Sequence, residues 1–327
     1  MARRLDVPDL VERARRGEQL AVARLLSLVE SDTPAGREAL REVAAALAPH
    51  TGHAHVVGLT GPPGVGKSTT TSALVGALRA QGRRVGVLAV DPSSPFSGGA
   101  LLGDRVRMGE HATDDGVFIR SMATRGHLGG LSWSTPQALR VLDAAGCDVV
   151  LIETVGVGQS EVEVVALADT TVVLLAPGMG DGVQAAKAGI LEVADVFVVN
   201  KADRDGAPQT VRDLRHMISL GGTSDDGAWK RPVVSTVASR QEGLDDLVAA
   251  LDTHRDWLDA SGERERRRLA RAAGEIEAIT LDELRTRIGD VRGGSGLSDL
   301  ARRVVAGEID PYRAAEVLAG GVGSAAG

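Results

Sequence analysis

A glycine-rich loop that ends in lysine and serine carries the clearest chemistry in this sequence. The run Gly-Pro-Pro-Gly-Val-Gly-Lys-Ser fits the pattern G-x-x-x-x-G-K-[ST], follows an apolar stretch and opens a helical one. Glycines let successive backbone amides turn toward a phosphate, and the start of the helix adds positive charge. We expect Lys67 to bridge the β- and γ-phosphates and Ser68 to give its hydroxyl to Mg²⁺. The predicted phosphate-binding residues are Gly61, Pro62, Pro63, Gly64, Val65, Gly66, Lys67, Ser68 and Thr69.

A second motif, Asn-Lys-Ala-Asp at residues 200–203, indicates which base the bound nucleotide carries. The carboxylate of Asp203 can accept hydrogen bonds from N1–H and the 2-amino group of guanine. Adenine offers neither donor and would leave a buried carboxylate unpaired, which is costly. The motif therefore favours GTP and GDP, and we expect the aliphatic part of the Lys201 side chain to lie along the base. The predicted base-binding residues are Asn200, Lys201 and Asp203, joined by a later loop whose amides would reach the guanine oxygen, Ser235, Thr236 and Val237.

Acidic residues between these motifs are candidates for binding Mg²⁺ and positioning water. Glu153 ends an apolar strand, and because Mg²⁺ prefers oxygen ligands and keeps several waters, we expect this carboxylate to act through water. Asp91 ends another strand, and Asp104 lies in a glycine-flanked loop. Either aspartate could bind Mg²⁺ or orient the attacking water, although Asp104 also fits an ordinary surface acid. Gly156 could give its amide to the γ-phosphate, so that its segment would reorder on hydrolysis.

The elements that must position these residues alternate between short apolar strands and amphipathic helices. Strands too apolar to face water, separated by helices, predict an α/β fold with a mostly parallel sheet covered on both faces. The predicted strands lie near residues 56–60, 84–90, 117–121, 148–152, 170–176, 195–199 and 232–235. The predicted helices are 67–80, 135–145, 181–193, 207–219 and 241–257.

Helical segments flank this core on both sides. Residues 7–48 show helical spacing, and Pro34 is expected to divide them into two helices. Beyond residue 258 the chain is helical and charged, with a flexible joint at residues 293–296 and a disordered tail from Gly320. We therefore predict a helical segment at 1–50, a P-loop domain at 51–257 and a helical arm at 258–327.

Composition excludes several classes of protein. A net charge of −7 argues against general nucleic-acid binding. Cys147 is the only cysteine, which excludes disulfides within the chain and a cysteine-based zinc site. The first residues lack the apolar stretch of a signal peptide, and no apolar run is long enough to cross a bilayer. We expect a cytoplasmic protein that binds neither nucleic acid nor membrane.

The motifs together resemble those of the MeaB/ArgK family of P-loop GTPases, chaperones of methylmalonyl-CoA mutase. The resemblance implies a homodimer held by the C-terminal arm. It also implies weak GTP hydrolysis, stimulated by an adenosylcobalamin-dependent acyl-CoA mutase whose cofactor loading and protection the GTPase gates. Mg²⁺ would be surrounded by Ser68, Asp91, Asp104 and Glu153, and the same carboxylates with Lys67 would form the catalytic set. The matching segments are 61–70, 90–94, 120–126, 129–132, 153–161, 177–181 and 200–203.

Two other functions compete with this one. The first is a nucleotide-dependent kinase or ATPase linked to amino-acid transport, a role attached to the ArgK name, but no acceptor-binding segment or separate catalytic base is visible. The second is a nickel-insertion GTPase, which the single cysteine disfavours because such proteins carry Cys/His metal sites. The sequence does not choose which arginine stabilises developing charge among Arg105, Arg107, Arg120 and Arg125.

Overall fold

The computed structural model describes residues 6–31, 33–92, 109–111, 113–124, 134–154, 166–178, 193–220, 227–292 and 295–324. The chain divides into two compact units, residues 1–264 and residues 265–327. Among the described helices, none combines the length and the apolar composition that a membrane span requires.

The first unit is built on a sheet of seven strands in the order β3-β2-β4-β1-β5-β6-β7. Every neighbouring pair runs parallel, which confirms the predicted α/β class. Each strand also lies where the sequence predicts one. Their bounds are β1 His55–Thr60, β2 Val85–Pro92, β3 Val117–Thr124, β4 Val149–Thr154, β5 Thr170–Leu175, β6 Val196–Val199 and β7 Val233–Ser235.

Alternate residues of the central strands are buried against different helices, because successive side chains of a strand point to opposite faces. In β4, Val150 and Ile152 join a core that includes the N-terminal helices, whereas Val149 and Leu151 join a core on the other face. The continuous apolar runs in the sequence follow from this double burial. The helices of this unit are α1 Val7–Arg15, α2 Gln19–Val29, α3 Pro34–Leu47, α4 Lys67–Ala80, α5 Ser134–Ala144, α6 Ala207–Leu220 and α7 Leu244–Ser261.

Most of the predicted core helices are confirmed, but the N-terminal prediction of two helices is wrong. The break that the sequence analysis missed is at Gly17, whose φ of +83° is left-handed and ends α1. The amides of Gly17 and Glu18 donate to the carbonyls of Ala14 and Arg13, which closes the helix end. Pro34 does separate α2 from α3, and it stands at the first position of α3. The predicted helix at 181–193 lies, apart from its last residue, outside the described residues.

The second unit contains all but the first two residues of α8 (Glu263–Arg292), together with α9 (Ser295–Val305) and α10 (Pro311–Ser324). Where the sequence predicts one helical piece after the glycine joint, a turn at Gly307 (φ +72°) separates α9 from α10. Asp310 then caps α10 by accepting from the amides of Tyr312 and Arg313 at 2.9 and 3.0 Å. Residues 320–324, expected in the disordered tail, belong to α10 in the structure.

A buried polar chain joins α7 to the amino ends of the strands. The Thr170 hydroxyl lies 2.7 Å from Nε2 of His55 and 2.8 Å from Nδ1 of His254. Nε2 of His254 lies 3.4 Å from a carboxylate oxygen of Asp195, and the ring of Trp229 packs on His254 at 4.6 Å between centroids. A hydroxyl donates one proton and can accept two, so at most one of the two histidines accepts from Thr170.

The buried histidine in this hydrogen-bonded group of side chains predicts that the stability of the protein depends on pH. Burial lowers the pKa of His55 to about 4, against 6.5 for an exposed histidine, with Asp169 opposing the shift and Arg264 adding to it. Between these pH values the unfolded chain binds more protons than the folded chain, so the free energy of unfolding falls as pH falls. Each tenfold change in proton affinity is worth about 1.4 kcal/mol, so the loss between pH 6.5 and 4 totals about 3 kcal/mol.

Urea unfolding at a series of pH values measures this loss. The variant His55→Gln keeps a polar group near Thr170 but cannot be protonated, so we expect it to be less stable at pH 7 and to lose less stability toward pH 4. His53→Gln, at an exposed position two residues earlier, is the matched control and should follow the unmodified chain. If the free energy of unfolding depends on pH equally in all three proteins, His55 is not the cause of the loss of stability in acid.

Candidate functional site

The site lies at the carboxyl edge of the sheet, where the predicted motifs meet. β1 is the central strand, with β4 on one side and β5 on the other, so the chain connections diverge around it. In open parallel sheets this divergence leaves a crevice beyond the strand ends, which is where ligands bind. The loop after β1, the end of β4, and the loops after β6 and β7 all emerge at this edge.

The loop between β1 and α4 depends on glycine at two close approaches. Gly61 has φ +143°, and a Cβ at this position would collide with the carbonyl oxygen of Leu174 in β5. Gly66 has φ +95° and precedes α4, and a Cβ there would lie 2.6 Å from Nδ2 of Asn200. Both the backbone conformation and the neighbouring atoms therefore require glycine. The predicted phosphate loop is thus packed on β5 and on the residue that follows β6.

Lys67 is the first residue of α4 and is 93% buried against this loop. Its amine donates to the carbonyl of Gly61 at 2.5 Å and to that of Pro62 at 3.3 Å. A cation held inside a loop at the start of a helix adds its charge to the positive end of the helix dipole. This combination is suited to an anion with several oxygens, such as a phosphate chain.

Ser68 and Glu153 bring oxygen ligands to the same helix start. The Ser68 hydroxyl donates to Oε1 of Glu153, which is 1% exposed at the end of β4. β4 holds Glu153 between Leu59 of β1 and Ala89 of β2. Hydroxyl and carboxylate oxygens are the donors that Mg²⁺ accepts from proteins, and it takes its remaining ligands from phosphate and water. The two side chains therefore fit Mg²⁺.

Three members of the predicted set are not placed by the structure. Asp104 and Gly156 lie outside the described residues, as does the side chain of Asp91, although the backbone of Asp91 belongs to β2. In the described ranges no group of three or more His, Cys, Asp or Glu side chains could hold a metal ion. Among the candidate arginines, Arg120 is the described one, and it forms an ion pair with Glu30, which follows α2.

Asn200 joins the loop after β1 to the loop after β7. It is 3% exposed, and its Nδ2 donates to the carbonyl of Val65 at 2.8 Å. Its Oδ1 accepts from the hydroxyl of Thr236 at 3.2 Å and from the amide of Ala238 at 3.1 Å. The sequence predicts a base contact for Asn200. The structure shows Asn200 as a brace between two loops, to which it is joined by these three hydrogen bonds.

Lys201 and Asp203 lie on the open side of this brace. Lys201 has φ +57°, and its amine donates to the carbonyl of Gly64 at 2.6 Å, so its stem crosses the phosphate loop. The Asp203 side chain is 35% exposed and lies 3.3 Å from a guanidinium nitrogen of Arg240. In the protein without nucleotide, neighbouring side chains leave one side of this carboxylate open to solvent, and its burial against a base stays a prediction.

The loop after β7 differs in detail from the prediction. The amides of Thr236 and Val237 donate to the carbonyls of Val199 and Glu242 at 2.9 and 3.0 Å, so neither is available to a base oxygen. Ser235 ends β7 and is exposed. Sequence reasoning missed Arg240, which lies in the turn Ala238–Arg240 directly after this loop. No spacing rule links that turn to the motif at 200–203, so the sequence carries no signal for their contact.

Comparison with known proteins identifies the family of the chain. Residues 22–291 match the family described as methylmalonyl-CoA mutase-associated GTPase MeaB. A protein of Pyrococcus abyssi is 46% identical over 95% of each chain, and the GTPase ArgK of Escherichia coli is 37% identical over 84% of each. The crystal structure of a LAO/AO transport system kinase superposes with a TM-score of 0.72 at 28% identity, covering 98% of this chain and 99% of that one. The predicted resemblance is confirmed, and the chain belongs to the MeaB family of P-loop GTPases.

Proposed function

We propose that this GTPase is a chaperone of an adenosylcobalamin-dependent acyl-CoA mutase of the methylmalonyl-CoA mutase type, gating the loading and protection of its cofactor. The observation that carries the proposal is the meeting of the phosphate loop and the residues 200–203 at one edge of the sheet, in a chain whose family is described as mutase-associated. A homodimer and a cytoplasmic location are part of the same proposal.

The nucleotide would lie across this edge with its phosphates in the loop 61–66 and its base beside Asp203. Lys67 would exchange its loop carbonyls for phosphate oxygens, and the backbone amides of the loop would donate to the same oxygens. Ser68 and Glu153 would hold Mg²⁺, whose charge would neutralise the negative charge that develops on the phosphate during hydrolysis. Asp91, Asp104 and Gly156 complete the proposed set, with the aspartates as metal ligands or water-positioning groups.

GTP turnover with and without a purified methylmalonyl-CoA mutase tests the partner. We expect faster phosphate release in its presence and co-elution of the two proteins on a sizing column. Lys67→Ala, mixed with the same mutase, is the control for contaminating phosphatases. If the chain hydrolyses GTP alone but the mutase neither stimulates turnover nor forms a complex with it, the mutase is removed from the proposal and the GTPase activity remains.

A kinase linked to transport is the second candidate, favoured by the superposition on the crystal structure of a LAO/AO transport system kinase. In that case a labelled γ-phosphate from ATP or GTP would be found on a protein acceptor. Under the chaperone proposal the label appears as free phosphate, and ATP competes poorly with GTP. Electrophoresis of a labelled reaction separates the two outcomes.

Removing the Lys67 amine should abolish tight triphosphate binding. A charge-assisted hydrogen bond contributes about 1.5–3 kcal/mol, so Lys67→Ala should raise the Kd for GTP by at least about tenfold. Titration with a fluorescent GTP analogue measures this change, and circular dichroism checks the fold. Lys230→Ala, at an exposed position, is the matched control, and its Kd for GTP should be unchanged. Retained GTPase activity in Lys67→Ala would refute the phosphate-loop assignment.

Replacing the Asp203 carboxylate should change the preferred base. In Asp203→Asn the amide can donate to the 2-oxo group of xanthine, where the carboxylate accepted from the 2-amino group of guanine. We expect GDP to bind at least about tenfold more weakly and XDP more tightly, on the scale of one charge-assisted hydrogen bond. Competition titrations with both nucleotides check this, and the exposed Asp205→Asn should keep the original preference. An unchanged preference would place the base elsewhere.

A further inference from the structure

The turn after β7 holds Arg240 in a fixed place. Val237 and Glu242 form an isolated antiparallel bridge, and the Arg240 amide donates to the carbonyl of Val237 at 2.8 Å. At the start of the turn, the Ala238 amide donates to the buried Asn200 side chain. The backbone of Arg240 is therefore bound to the same brace that holds the motif at 200–203, so its guanidinium is presented to one neighbourhood.

That neighbourhood is the Asp203 carboxylate. Nη2 of Arg240 lies 3.3 Å from Oδ2 of Asp203, and the described part of the chain shows no other side-chain contact to this carboxylate. The Arg240 side chain is 59% exposed, so it lies at the rim of the site and not beneath it. An ionised carboxylate has about four acceptor positions on its two oxygens. Guanine would use two of them, and one N–H from Arg240 can occupy a third.

We propose that Arg240 is a specificity-determining positioning residue, which orients the Asp203 carboxylate to accept from both N1–H and the 2-amino group of guanine. The inference rests on the proposed binding of guanine by Asp203. The Asp203 carboxylate rotates about its Cβ–Cγ bond and must be held in one plane to accept two parallel hydrogen bonds. Arg240 supplies this restraint from the solvent side, without touching the base itself.

The test compares GDP with IDP, which lacks the 2-amino group, in the full-length chain. Because exposed ion pairs are worth little, Arg240→Ala should weaken GDP binding by about two- to fivefold. IDP, which makes one contact fewer to Asp203, should lose less, so the preference for GDP over IDP should narrow. Arg240→Lys, which keeps the charge, should recover part of that preference. Arg204→Ala removes an exposed arginine next to Asp203 and should leave both affinities unchanged.

Two results would overturn the inference. If Arg240→Ala leaves the GDP-to-IDP ratio at the value of Arg204→Ala, Arg240 does not position the carboxylate. If Arg240→Ala binds GDP more tightly, the arginine competes with the base. The proposed base site is checked separately by the preference of the unmodified chain for GDP over ADP. Absence of that preference would remove the base site itself, whereas its presence with an unchanged ratio would remove only the role of Arg240.

Discussion

The buried side chain of Asn200 is the interaction on which the geometry of the site depends. It makes three hydrogen bonds, to Val65, Thr236 and Ala238, and so ties together segments from three places in the chain. A buried amide left without partners costs about 1–3 kcal/mol per group, so none of these segments can move away alone without loss. Gly66 belongs to the same constraint, because any larger residue would occupy the space in which Asn200 reaches the phosphate loop.

This brace is possible because the sheet is parallel and buried on both faces. A parallel sheet sends the carboxyl ends of its strands to one edge, so polar residues that follow β1, β4, β6 and β7 meet although they are far apart in sequence. Apolar side chains stabilise the strands themselves, as in β6, where Val196, Phe197, Val198 and Val199 are completely buried. The polar groups at the edge can then be selected for chemistry, because the strands do not depend on them for stability.

Sequence reasoning succeeds where a local pattern decides the structure. The strands are predictable because their apolar runs are bounded by polar turns, and the phosphate loop because its spacing is strict. It fails at Gly17, since one glycine in a polar stretch is as compatible with a continuous helix as with a left-handed turn. It also fails for Arg240, whose contact with Asp203 joins residues that lie on separate loops. The three-dimensional path of the chain decides such contacts, and neither loop has a sequence pattern that predicts them.

The same path explains why a short turn can hold an arginine in place. The turn connects β7 to α7, and both are anchored. β7 pairs with β6, and α7 begins with Leu244 and Leu247 in the core and continues to His254, which is bonded to Thr170 at the amino edge of the sheet. Arg83 of the loop before β2 also pairs with Asp252 of α7 at 2.5 Å. A helix of this length spans about 27 Å, so α7 is fixed from one edge of the sheet toward the other. With both ends held, the turn has little freedom, and the side chain of Arg240 is directed at Asp203 by the strand and helix on either side of it.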